Sequence, residues 1–129
     1  MKVYVFGNID LDFDNKALLP LQATDRIEFV NVKPNEDLPF YNGEDAVIMD
    51  AVEGLTKVKL IQNNQLDKII LAPRTTVHDF DLGFQLKYLK KLGRLGKVTI
   101  IGLPMRGKIN YNLIHSILRK LVAQDMQGS

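Results

Sequence analysis

Cysteine is absent from this chain. That one absence excludes disulfides, thiolate nucleophiles and cysteine-held zinc or iron–sulfur centres, and it fits a reducing compartment. No apolar run approaches the roughly 20 residues that a membrane-crossing helix needs. The opening stretch, Met1–Asn8, has one lysine and too short an apolar run for the core of a secretory signal. We therefore expect a cytoplasmic protein, monomeric and without a membrane role. A net charge of +2 and the lack of an aromatic RNA-binding signature give nucleic acid no place as a partner. Missing too are a GxGxxG turn after the first strand, which argues against a dinucleotide enzyme, and an HExxH helix of the zinc-peptidase kind. There is no internal repeat, linker or low-complexity segment.

What remains is ordinary material for one globular unit. The chain has 129 residues, 46% hydrophobic and 25% charged, enough to bury one core as a single domain over 1–129. Short β-prone runs appear at Val3–Phe6, ended by Gly7-Asn8, and at Arg26–Val32. Ala46–Met49 reads as a buried strand ending at Asp50, and Lys68–Leu71 as another. Thr56–Ile61 alternates lysine with apolar residues, the pattern of a half-exposed, antiparallel strand. Lys97–Ile101 is the last strand. Asp14 is placed to cap a helix carrying Ala17, Leu18, Leu19 and Leu21, with Pro20 set to kink it. A second helix runs from Asp79 or Asp81, with Leu82, Leu86, Leu89 and Leu92 as its apolar stripe and Gly93 as its stop. A third spans Asn110–Ala123, and the tail after it is expected to fray. Strands alternating with amphipathic helices imply an α/β fold. We expect a three-layer α/β/α arrangement with a mostly parallel, partly mixed sheet of about five strands and three or more helices.

In open α/β sheets, ligands bind beyond the carboxyl ends of the strands. The residues following each strand are therefore informative. After the first come Asn8, Asp10, Asp12 and Asp14; after Ala46–Met49 come Asp50 and Glu53; after Lys68–Leu71 come Arg74, Thr75, Thr76 and His78. Parallel strands would bring these acids and the one histidine to a single rim. Two carboxylates and an imidazole form a facial set suited to nickel, zinc or iron, with positions left open for a second molecule. A plainer reading stands beside this one. Asp14 and Asp50 are also natural helix or turn caps, His78 is a plausible helix-start residue, Asp10 and Asp12 suit a solvated loop, and His115 suits helix packing. Lys87, Lys90 and Lys91 read as a solvated helix face that an acidic partner would also suit.

The ordered motifs resemble those of the hydrogenase maturation proteases, which trim the C-terminus of nickel-iron hydrogenase large subunits. The matching residues are Gly7-Asn8, Asp14, "VIMDAVEG" with Asp50-Ala51, "TVHDFDL" with Thr76 and His78, and "VTIIGLP" with Gly102 and Pro104. The resemblance implies a metal-contacting trio of Asp14, Asp50 and His78, with Asp14 and Asp50 as the catalytic candidates and Asn8, Asp12 and Thr76 as neighbours. It implies nickel as the metal, carried by the substrate, and a hydrogenase large-subunit precursor as partner, cut only after nickel has been inserted. The chain departs from the family where Asp-Asp-Gly-x-Gly is replaced by Phe13-Asp14-Asn15-Lys16-Ala17. That departure motivates an alternative, a non-catalytic relative that checks the metal. A receiver-type phosphoacceptor domain using Asp50 is a third reading. It is weakened because Gly7-Asn8 stands where receivers carry their acidic pair.

Overall fold

A computed structural model describes residues 1–6, 16, 27–32, 43–52, 54–62, 82–105 and 108–127. Within these, five strands form one sheet in the order β2-β1-β3-β5-β4. The strands are β1 (Lys2–Phe6), β2 (Glu28–Val32), β3 (Ala46–Val52), β4 (Lys59–Gln62) and β5 (Val98–Pro104). β1 pairs in parallel with β2 and β3, and β3 with β5; β4 alone is antiparallel, against β5. Two helices are described, α1 (Leu82–Lys91) and α2 (Tyr111–Gln127).

The sheet is buried on both faces, which explains why its central strands are nearly continuous in apolar residues. All seven residues of β5 are buried. Alternate side chains go to opposite layers. Tyr4, Phe6, Ala46, Ile48, Val98 and Ile100 share one cluster with Leu86 and Leu89 of α1. Val3, Val5, Met49, Ile101 and Leu103 share the other with Ile114, Leu118 and Val122 of α2. The helix residues recur at three- and four-residue steps, so each helix turns one stripe to the sheet. The result is helix, sheet, helix, in agreement with the three-layer α/β expectation. β4, an edge among the described strands, carries the exposed residues Lys59 and Gln62, and a lysine on an edge strand discourages pairing with other chains.

Local chemistry sets the helix ends. At α1 the Arg94 N–H donates to the Leu89 carbonyl and the Gly93 N–H to the Lys90 carbonyl. That is the Schellman pattern, and Gly93 supplies it with φ of 69°. At α2 the Asn110 side-chain oxygen accepts from the Leu113 N–H at 3.1 Å, an N-cap bond. Ile109 and Ile114, on either side of the cap at staple spacing, lie in the same apolar cluster.

Several boundaries differ from those read in the sequence. β3 continues through Asp50 to Val52, and β5 through Gly102 to Pro104, because the two strands pair at seven consecutive positions. Pairing overrides the weak local strand propensity of Asp and Gly. Antiparallel pairing begins at Lys59, later than Thr56. Leu92 does not belong to the buried stripe. It is 49% exposed, since the helix ends at Lys91 and Leu92 falls in the closing turn. α2 runs on to Gln127, so most of the tail expected to fray is helical. The helix expected after Asp14 and the strand at 68–71 lie outside the described residues.

Candidate functional site

The strand order fixes where a ligand site belongs. β1, β3 and β5 run in parallel, so Phe6, Val52 and Pro104 end along one edge of the sheet. From β1 the chain goes to β2 on one side and then to β3 on the other. The connections thus reverse direction between β1 and β3. In sheets of this type the binding crevice lies outside the carboxyl ends at that reversal.

Asp50 stands at this place. It is near the carboxyl end of β3, directly across from Gly102 of β5. By alternation along the strand it shares the face of Ala46 and Ile48, the layer that α1 covers. Only 8% of its surface is exposed. Among the described residues Asp50 and Thr99 are the buried polar ones, and a carboxylate is costly to bury without partners. No buried side-chain nitrogen or oxygen among the described residues lacks a hydrogen-bond partner, so the fold meets that requirement.

Gly102 shapes the wall beside the acid. A Cβ placed there would come within 2.8 Å of Leu55 Cδ1, 3.1 Å of Ile61 Cδ1 and 3.2 Å of Val52 Cγ2. These three apolar side chains occupy the volume that any larger residue would need. They make the β5 side of this position apolar, and a carboxylate as buried as Asp50 attracts a cation more strongly than it would in bulk water. The sequence reading ends the last strand at Ile101, one residue short of Gly102, whereas Gly102 lies within β5. The signal that could have placed it correctly is a lone glycine in an otherwise continuous apolar run, which often marks a close approach.

Of the expected site residues, Asp50 alone falls within the described residues. Asp14 and His78, and with them Asn8, Asp12 and Thr76, lie outside. Among the described residues no group of three His, Cys, Asp or Glu side chains is positioned to hold a metal ion. Lys108 is exposed beyond the end of β5, and His115 is half-buried on α2. No described helix is long and apolar enough to cross a membrane.

No family model matches the chain, and no curated protein matches it in sequence. Solved structures match it in fold. Hydrogenase maturating endopeptidase HybD from E. coli is similar with a TM-score of 0.61 at 15% identity, over 100% of this chain and 94% of that one. The NiFe hydrogenase maturation protease HybD from Thermococcus kodakarensis is similar with a TM-score of 0.53 at 20% identity, over 95% of this chain and 99% of that one. An endopeptidase from Escherichia coli, solved in solution, gives 0.51 at 13% identity, over 98% and 90%. This chain has the α/β fold of those endopeptidases, nearly end to end.

Proposed function

We propose that the chain is a divergent hydrogenase maturation endopeptidase, removing the C-terminal extension of a nickel-iron hydrogenase large-subunit precursor. The observation that carries the proposal is Asp50, a buried acid at the carboxyl edge of a central strand, in a chain whose fold matches such endopeptidases over nearly its whole length. Asp50 joins Asp14 and His78 in contacting the nickel already seated in the precursor, with Asn8, Asp12 and Thr76 around them. The nickel belongs to the substrate, and its presence reports that insertion is complete. A carboxylate of this set takes the proton from the water that attacks the scissile carbonyl.

The test is cleavage of nickel-loaded and nickel-free precursor by the purified protein. Only the loaded form should be cut. Asp50→Asn keeps the side-chain shape but removes the base and the negative ligand, and should lower the rate by about 10²-fold or more. Equal cleavage of both forms would refute the metal requirement. Tight binding of the loaded precursor without any cleavage would favour the second reading, a module that checks the metal, which the replacement of the glycine-rich motif by Phe13–Ala17 supports.

A further inference from the structure

The outer face of α1 is strongly basic, and neither the core nor the carboxyl-edge site uses it. Lys87, Lys90 and Lys91 are exposed on the helix and Arg94 just beyond it. Lys97 follows at the start of the next segment, and no acid occurs from Leu82 to Lys97. The chain carries +2 overall; with +5 on this segment, the remainder carries −3. Lysines in the last turn complement the helix dipole, which accounts for Lys90 and Lys91. It does not account for Lys87 or Arg94.

Two large side chains stand beside the charges. Tyr88 is 54% exposed and Leu92 49%, four residues apart and so adjacent along the helix. On the helical wheel Lys90, Lys87 and Lys91 form one ridge, and Tyr88 with Leu92 the next. An exposed tyrosine flanked by cations is a common anchor in protein interfaces.

The face is also held in place. The Gly93 turn closes α1 with the two bonds described above. Beyond it, Gly96 passes so near the neighbouring segment that a Cβ would lie 2.5 Å from the Gly43 carbonyl oxygen. The Lys97 N–H donates to the Asp45 carboxylate at 2.9 Å, and the Ala46 N–H to the Lys97 carbonyl at 3.0 Å. Glu44 and Asp45 therefore border the basic face at its Lys97 end. The backbone at the end of the face is fixed in this way, so that binding costs side-chain rather than backbone freedom there.

We infer that the basic, tyrosine-bearing face of α1 docks an acidic patch on the folded body of the protein substrate. This rests on the proposed maturation activity and extends it. Helix α1 covers the same face of the sheet that carries Asp50, and its basic C-terminal end leads into the start of β5 at the amino edge, so a substrate body resting there passes its tail along the sheet for about 15 Å, some five extended residues, to the carboxyl edge. A localised acidic patch fits better than a long polyanion or an anionic membrane. α1 is only about 15 Å long, charge is screened over about 8 Å, and the −3 carried elsewhere repels an extended negative surface.

Binding and cleavage of nickel-loaded precursor by the full chain separate the possibilities. Replacing Lys87, Lys91 and Arg94 together by glutamine should weaken binding about tenfold and flatten its dependence on salt. Tyr88→Ala should weaken it by a similar factor at unchanged charge. Both should raise KM and leave kcat nearly unchanged, as expected when only binding is lost. Asp50→Asn should do the opposite, retaining most of the binding. Thermal unfolding of each variant checks that the helix is intact, and the single Tyr88 change stands as the test if the triple variant is unstable. If both variants bind and cleave like the wild type, the docking inference fails and the maturation activity stands. If the wild type neither binds nor cleaves precursor, both fail. Tighter binding of poly-uridine RNA or phosphatidylserine vesicles than of precursor would also overturn the inference.

Discussion

Two glycines show how differently a missing side chain can be used. At Gly96 an added Cβ would meet backbone, the Gly43 oxygen at 2.5 Å and the Glu44 oxygen at 2.7 Å. That backbone cannot retreat without disturbing the Ala46–Lys97 and Lys97–Asp45 bonds. At Gly102 the nearest atoms are the ends of Leu55 and Ile61, which can change rotamer. Gly96→Ala should therefore cost about 3 kcal/mol, and Gly102→Ala nearer ~1 kcal/mol. Urea unfolding of both variants measures the difference; equal losses would mean that Leu55 and Ile61 are as immovable as backbone. Gly102→Ala should also disturb the wall beside Asp50, so its effect on cleavage should exceed its effect on stability. The chemistry of Asp50 was legible in the sequence as an acid at a strand end. Its burial within the strand was not, because a single sequence does not reveal that Gly102 stands opposite it.

The elements themselves were largely legible, through periodicity and punctuation. Asn110 announces α2, and Gly93 ends α1 as its position suggests. Composition explains why α2 continues past Ala123 to Gln127. Ala123, Gln124, Met126 and Gln127 are good helix formers, and no glycine or proline intervenes before Gly128. Strand ends are less legible, because a polar or glycine residue looks like a terminus until its pairing partner is known, as with Asp50 and Gly102. The caps yield two comparable expectations. Asn110→Ala removes the bond to the Leu113 N–H and should cost about 1 kcal/mol. Gly93→Ala forces a Cβ into a left-handed conformation, at about 1–2 kcal/mol. Thermal or urea denaturation checks both. A Gly93→Ala loss near zero would show that the φ of 69° is not held in solution.

At the scale of the whole molecule, layering and strand polarity were implied by the alternation of elements, whereas strand order was not. Order depends on long-range contacts, and it turns a set of strand-end residues into a site by placing the reversal between β1 and β3. The same order governs rigidity. Among the described strands, β1, β3 and β5 each have two neighbours, whereas β2 and β4 have one. Asp50 therefore directly follows the doubly paired stretch of β3, with β5 still paired beside it, the kind of support that a reacting group or metal ligand needs to hold its geometry. Amide hydrogen exchange should reflect this. Ile48 and Met49 of β3, and Ile100 and Ile101 of β5, should exchange only through global unfolding, while β4 amides not bonded to β5 exchange through local opening. Asp50→Asn should leave that ranking unchanged while lowering the cleavage rate by about 10²-fold or more. If β3 exchanged as fast as β4, its carboxyl end would be mobile before substrate arrives. Asp50 would then be ordered by the precursor's metal instead of being held ready for it.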